Sequence, residues 1–363
     1  MRLIVTGGLG FIGSSFIRLV MARRPSWQLV NLDKRTYAGN PANLASLSPL
    51  PYDEPAAAEK AWGGPRYRWV RADICEEKTA DTLISKADAV IHFAAETHVD
   101  RSILSSAEFL QTNVMGTHNL LEAARRHGLK RFLHVGTDEV YGSVPKGESR
   151  EDDPLFPNSP YSASKAASDL LARAYHVTHG MNVLVSRASN NFGPFQFPEK
   201  ALPLLITNAL ENKPYPLYGD GKQVRDWLYV EDHAEALLTL LEKGKAGEIY
   251  NIGGSRSVAN IEIVKTVLGM MRKPSSLITP VADRLGHDRR YALNCSKLRA
   301  LGWKPRRSFK ENLAFTIDWY SQREDWWGPL KNKEGYQDYY KAQYKQRAGF
   351  AKKSPALAAA KSR

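Results

Sequence analysis

The chain has 363 residues, 43% hydrophobic and 25% charged, the balance of a soluble globular protein with room for two domains. This composition excludes wholesale disorder, and no run approaches the roughly 18 apolar residues of a membrane-spanning helix. The net charge is +13, but more than half of it sits on Lys341, Lys345, Arg347, Lys352, Lys353, Lys361 and Arg363, which predicts a solubilising tail and no nucleic-acid partner. The first half of the chain alternates short β-branched runs with helical patterns. A strand over 3–6 runs into TGGLGFIG and a helix near 12–24. Strands follow at 28–33, 66–73, 89–95, 131–137 and 182–189, with helices near 76–86, 105–127 and 161–179. Several strands are almost continuous apolar runs, as expected when both faces are covered. Repeated βαβ units predict an α/β fold, a doubly wound parallel sheet. The stretch 48–64, rich in Pro, Ala and Gly, reads as a loop insertion. After about residue 190 Pro and Gly become frequent and a smaller, loop-rich region begins. The stretch 228–254 reads helix then strand, and is expected to return to the first region.

Gly7, Gly10 and Gly13 follow the first strand at GxxGxxG spacing. Glycines there permit a tight turn and let the backbone approach a pyrophosphate. The helix beyond adds unpaired N–H groups and a positive dipole end. Asp33 ends the second strand, 20 residues after Gly13. A carboxylate there accepts ribose hydroxyls and repels a 2′-phosphate, which favours NAD, although Lys34 and Arg35 beside it keep NADP open. Asp73 and Ile74 end the third strand, and Ala94, Ala95, Glu96 and Thr97 the fourth. Ligands bind at such carboxyl ends in open α/β sheets.

Tyr161 and Lys165 stand four apart in YSASK, at the start of a helical pattern, and so share a helix face. A nearby ammonium favours the phenolate and is expected to lower the tyrosine pKa, giving a base near neutral pH. The same spacing recurs at Tyr218 and Lys222, but in a glycine turn, so position singles out Tyr161. Thr137, Asp138 and Glu139 follow the fifth strand. A protonated carboxyl beside an ionised one, their pKa values split by repulsion, is an acid–base pair. An elimination of water needs such a pair, whereas a simple oxidation or epimerisation does not. Cys75 and Cys295 offer neither a disulfide framework nor a metal site. With a short apolar run at the N-terminus, they predict a cytoplasmic protein without a metal.

These motifs, with NLDKRTYAGN, HFAAETHVDRS, SNNFGPFQFPEK, GDGKQVRDWLYVEDHA, YNIGG and DRLGHDRRYA, carry a family resemblance over about residues 1–330. The chain resembles the extended short-chain dehydrogenases, and within them the branch that dehydrates dTDP-glucose. It departs from the pattern at Gly136 (usually serine), Phe192 (usually tyrosine) and Leu285 (usually proline). The resemblance implies a Rossmann domain for NAD over 1–189 plus about 226–254. It implies a smaller C-terminal domain for the nucleotide sugar over about 190–225 plus 255–340. A basic tail, 341–363, is expected to be disordered. Cofactor contacts are implied at Gly7, Gly10, Phe11, Ile12, Gly13, Asp33, Lys34, Arg35, Thr36, Asp73, Ile74, Phe93, Ala94, Ala95, Glu96, Thr97, Thr112, Tyr161, Lys165 and Asn191. Substrate contacts are implied at Thr97, Thr137, Asn190, Lys200, Ala201, Pro216, Leu217, Tyr218, Arg225, Asn260, Asp283, Arg284, Leu285, Gly286 and His287. Lys200 and Arg225 suit a diphosphate.

The implied reaction converts dTDP-glucose to dTDP-4-dehydro-6-deoxy-glucose and water, with hydride passing from C4 to C6 through NAD. The implied catalytic residues are Thr137, Asp138, Glu139, Tyr161 and Lys165. Tyr161 takes the O4 proton, Glu139 the C5 proton, and Asp138 protonates the departing O6. The alternatives are a sugar-nucleotide 4-epimerase, a UDP-sugar 4,6-dehydratase, or a non-enzymatic NAD-binding module. A homodimer is expected through the helices near 105–127 and 161–179. Phe109, Leu110, Leu120, Leu121, Leu170 and Leu171 give them apolar residues beyond one face.

Overall fold

The computed structural model describes residues 1–47, 58, 60–62, 64–254 and 256–345. Seven strands form the main sheet: β1 (Arg2–Thr6), β2 (Gln28–Leu32), β3 (Tyr67–Val70), β4 (Ala89–His92), β5 (Arg131–Thr137), β6 (Val183–Ala188) and β10 (Ile249–Ile252). Their order is β3-β2-β1-β4-β5-β6-β10 and every pair is parallel. Leu3 and Val5 of β1 enter one hydrophobic cluster and Ile4 enters another. Alternate residues thus serve opposite faces, and because both faces are buried the sequence reads apolar throughout. On one face α1 (Phe11–Arg23) packs against α8 (Val230–Lys243). On the other lie α2 (Glu77–Ile84), α5 (Thr117–Arg126) and α6 (Pro160–His179). The expected return of 228–254 to the sheet is met by α8 and β10.

Helix α6 starts where SPYS supplies the signals. Ser159 and Ser162 form a capping box and Pro160 occupies the first turn, which fixes Tyr161 at the helix entry. Before α5, the chain passes through α3 (Val99–Leu104), α4 (Ala107–Phe109) and a π-helical segment, Leu110–Gly116. Two small sheets stand beside the main one. One holds β7 (Asn190–Phe192), β9 (Val224–Tyr229) and β11 (Ser257–Ala259); the other pairs β8 (Tyr215–Tyr218) with β12 (Ile278–Val281). A third apolar cluster joins them to α7 (Ala201–Leu210), α9 (Asn260–Met270), α11 (Phe309–Gln322) and α12 (Glu324–Lys331). The short α10 (Ser296–Arg299) lies against β10.

Two expectations need correction and one is refined. The 48–64 stretch lies largely outside the described residues, but Ala58, Ala61 and Trp62 are buried. The Trp62 indole donates to the Leu83 carbonyl (3.1 Å), so this part of the insertion packs against α2. Of the basic tail, 346–363 lies outside the described residues. Its first five residues, Lys341–Lys345, continue α13 (Glu334–Tyr340) as a π-helical turn, with Gln343 and Tyr344 buried. Aromatic contacts of Tyr344 with Tyr340 and Tyr218 hold that turn, and composition alone did not reveal them. Finally, Phe109, Leu120 and Leu121 are buried within the chain and Leu171 packs on its core. Of the six apolar residues expected on a second helix face, only Leu110 and Leu170 are exposed, joined there by Met115 and Val177.

Candidate functional site

The strand order reverses between β1 and β4, since β2 and β3 extend one way and β5, β6 and β10 the other. Ligand crevices form at the carboxyl ends of strands at such a switch point. A cleft of about 310 Å³ lies there. The turn after β1 is tight: Gly7 has φ +69°, and a Cβ on it would stand 2.7 Å from the Ala94 backbone. Gly10 precedes α1 without a side-chain cap, and no acidic residue occupies the first turn. The helix therefore presents backbone N–H groups and its positive end to the cleft.

Most expected cofactor residues line this cleft: Gly7, Gly10, Phe11, Ile12, Gly13, Asp33, Lys34, Thr36, Asp73, Ile74, Phe93 through Thr97, Thr112, Tyr161, Lys165 and Asn191. Arg35 does not; its amide donates to Asp33 Oδ1 (2.8 Å). The other Asp33 oxygen accepts from the Leu9 amide (2.9 Å). Lys34 is paired with Asp73 across the cleft rim (3.1 Å), so its charge is matched within the chain. Five cleft residues carry a buried polar atom without a protein partner: Asp138 Oδ2, Ser189 Oγ, Asn190 Oδ1, Gln196 Oε1 and His233 Nε2. Buried polar atoms are normally satisfied. With the uncapped helix end and Asp33, this donor and acceptor set fits a dinucleotide.

Thr137, Asn190, Lys200 and Thr97 of the expected substrate set also line the cleft. The remaining members sit around it. Pairing of β8 with β12 brings Pro216, Leu217 and Tyr218 beside the loop Asp283–His287. Asn260 opens α9, and its amide donates to the Gln223 carbonyl (2.9 Å). Ala201 opens α7 directly after Lys200. Arg225 is buried over the Tyr291 ring (4.3 Å) and donates to the carbonyls of Val224 and Asp288 (both 2.9 Å).

The chemical end of the cleft is dominated by burial. Thr137 caps the short 3-10 turn Asp138–Tyr141, accepting from the Glu139 amide (3.3 Å), and so fixes both carboxyls at the end of β5. Burial, followed by the charge of Glu139, pushes the Asp138 carboxyl well above its usual range. Burial also raises Glu139, but the cations Arg284, Arg225 and Lys200 pull it back. Both carboxyls are thus raised, Asp138 the further, and desolvation rather than mutual repulsion is the main cause. Tyr161 corrects the sequence reading. Burial and then Glu139 push its phenol above the ordinary range, with the Thr137 hydrogen bond opposing. The Lys165 ammonium donates to the Val135 carbonyl (2.8 Å) instead of approaching the phenol. Burial lowers Lys165 to about 8.

Sequence reasoning missed several lining residues, among them Ser189, Gln196 and His233. His233 lies within the quoted motif WLYVEDHA, in the first turns of α8, where its Nδ1 meets Asn191 Oδ1 (2.9 Å). Burial holds it neutral, with a pKa near 3. Its place at a strand-to-helix junction was the available signal.

Sheet order, glycine turn and a cleft holding both a tyrosine–lysine helix and a carboxyl pair define a dinucleotide-binding enzyme fold of the short-chain dehydrogenase type. Residues 4–316 match the family described as GDP-mannose 4,6 dehydratase, and the chain belongs to that family. It is 49% identical over 339 residues to a dTDP-glucose 4,6-dehydratase of Streptomyces antibioticus, covering 92% of this chain and 96% of that one. It is 44% identical to dTDP-glucose 4,6-dehydratase 1 of Escherichia coli, covering 96% and 100%. Among solved structures it is similar to DesIV, a dTDP-glucose 4,6-dehydratase from Streptomyces venezuelae crystallised with NAD and TYD. That similarity has a TM-score of 0.85 and 46% identity, covering 91% of this chain and 100% of that one.

Proposed function

We propose that this chain is an NAD-dependent lyase that dehydrates dTDP-glucose to dTDP-4-dehydro-6-deoxy-glucose. The observation that carries this reading is the pair Asp138, buried, and Glu139, half-buried, lining the same cleft as Tyr161 and Lys165. A 4-epimerase has no step for such a pair. NAD, when bound, would supply the redox chemistry as a reversible hydride acceptor. The glycine turn, the α1 N-terminus, Asp33, Asp73, the segment Phe93–Thr97, Thr112 and Asn191 would hold it. Tyr161 takes the O4 proton, with the Thr137 hydroxyl favouring its phenolate. Oxidation at C4 acidifies the C5 proton, which Glu139 removes. Asp138, kept protonated by burial, gives its proton to the departing O6, and water leaves. A proton then returns to C5 as C6 is reduced, so atoms and electrons balance without an external reductant.

Most of the substrate set lies on β7, β8, β9, α7, α9 and the loop after β12, with Thr97 after β4 and Thr137 at the end of β5 reaching it from the main sheet. This supports a division in which 1–189 and 226–254 hold NAD while 190–225 and 255–340 hold the nucleotide sugar. Among the described residues no helix is long and apolar enough to cross a membrane. We place the enzyme in the cytoplasm as a homodimer through the exposed faces of the π-helical segment, α5 and α6. The test is incubation with dTDP-glucose, followed by mass spectrometry and absorbance. Loss of one water without net NADH build-up is expected. Stoichiometric NADH would instead indicate an ordinary dehydrogenase, and an unchanged product mass an epimerase.

A further inference from the structure

One wall of the cleft is built around Asn191, and the hydrogen bonds there fix how its neighbours face the ligand space. Asn191 Nδ2 donates to the Ser189 carbonyl (2.9 Å). A backbone carbonyl only accepts, so the amide is held one way round, and Asn191 Oδ1 faces His233 Nδ1 (2.9 Å). That contact requires a proton on Nδ1. His233 is fully buried, and burial keeps its imidazole neutral, so the other ring nitrogen carries no proton. Nε2 is a bare lone pair without a partner among the described residues, on a side chain that lines the cleft. Gln196 is fixed in the same manner. Its Nε2 donates to the Asn191 carbonyl (2.9 Å), which leaves Oε1 as a second buried acceptor without a partner among the described residues.

Buried acceptors are normally matched by donors, so two bare ones beside a single asparagine specify a ligand group that donates. Phosphate oxygens only accept. They suit the α1 end of the cleft, where the uncapped helix presents backbone N–H groups, and not this wall. NAD has two groups that donate without accepting, the amine of adenine and the carboxamide NH2 of nicotinamide. On the reading above, Asp33 and Asp73 hold the adenosine half at the ends of β2 and β3. His233 and Gln196 lie across the switch point, against Asn191 of β7, which leaves them the carboxamide. We propose that His233 and Gln196 determine cofactor specificity by jointly accepting the carboxamide NH2 of nicotinamide, His233 at Nε2 and Gln196 at Oε1. Asn191 is then a positioning residue that sets the His233 tautomer. This rests on the reading of the cleft as an NAD site.

The first measurement needs no variant. In the full chain labelled with nitrogen-15 histidine, a bare Nε2 of a neutral ring resonates in the pyridine-type range and moves upfield when a donor reaches it. NAD should move the His233 signal. The acetylpyridine analogue of NAD, whose methyl ketone has no N–H, should not. Neither should ADP-ribose, which keeps the pyrophosphate and both ribose units. The second measurement compares affinities by competition against bound NAD. The parent should favour NAD over the analogue roughly tenfold, because the methyl group leaves buried acceptors unpaired. His233→Asn keeps an amide nitrogen for Asn191 and places no atom where Nε2 stands. The preference should fall to about threefold in that variant and to near parity when Gln196→Met is added, while ADP-ribose affinity changes by less than about twofold. A His233 signal that NAD leaves in place overturns the proposal, as does a variant that loses NAD, the analogue and ADP-ribose in equal measure. A chain that dehydrates dTDP-glucose but keeps its preference in the double variant loses this inference alone. One whose preference disappears as expected, but which never dehydrates dTDP-glucose, upholds the inference and sinks only the reading of the reaction.

Discussion

At the scale of single residues, the site separates oxidation from elimination. Tyr161→Phe removes the group that takes the O4 proton, and one positioned acid–base group contributes roughly 10²–10⁴-fold. A loss of that size in kcat is expected, with NAD still bound by fluorescence. Glu139→Gln should leave the oxidation and stall the elimination, so that rapid-quench analysis finds a 4-keto sugar that has kept its O6. A Glu139 variant that dehydrates at full rate would reverse the assignment. Asp138 yields a prediction about stability. Its carboxyl has a higher pKa folded than the 3.8 of an exposed aspartate, because burial disfavours its charge. The folded chain therefore binds that proton more tightly. Stability is fully present below the unfolded pKa and is lost as pH rises through the folded one. Asp138→Asn abolishes this loss. In urea at pH 7 the variant should therefore be more stable than the parent. The gap should close toward pH 4, while dehydration is lost.

At the scale of elements, legibility followed the range of the interactions. The strands of the main sheet and helices α1, α2, α5 and α6 were readable, because two-sided burial makes continuous apolar runs and capping leaves signals such as SPYS. The cofactor end of the site was readable for the same reason, since glycine turn, helix entry and strand ends are neighbours in sequence. The π-helical Leu110–Gly116 was not, as its hydrogen-bond register leaves no compositional mark. Nor was the role of α13, whose contacts with the rest of the site are distant in sequence. Tyr339 meets His98 (3.2 Å), and Gln343 donates to the Tyr218 hydroxyl (2.8 Å), which in turn donates to Asp100 (3.3 Å). This aromatic helix, beyond the matched residues 4–316, therefore backs the proposed substrate side. A chain ending at Lys333 loses both contacts. At about 1 kcal/mol for each hydrogen bond, KM for dTDP-glucose should rise roughly ten- to thirtyfold. NAD affinity should stay unchanged by titration, and an unchanged KM would show that α13 only covers the core.

At the scale of the whole molecule, one surface remains to be accounted for. Leu110 (52% exposed), Met115 (50%), Leu170 (54%) and Val177 (64%) lie on the π-helical segment and α6, whose other faces already pack within the chain. Large apolar side chains scattered singly on a surface need no explanation, but several on adjoining helices mark an interaction face. Two copies related by a two-fold axis would bury the same face on each, which is how a closed dimer forms. The chain's positive charge does not oppose this pairing, because much of it lies in the C-terminal stretch. A chain ending at residue 345 should therefore keep the mass of a dimer in light scattering at micromolar concentration. Leu170→Glu places a charge where it must be desolvated in the assembly and remains in water in the free subunit. It should halve the mass while leaving circular dichroism and NAD binding intact. A parent chain that is already monomeric, or a Leu170→Glu variant that stays dimeric, would place the partner surface elsewhere.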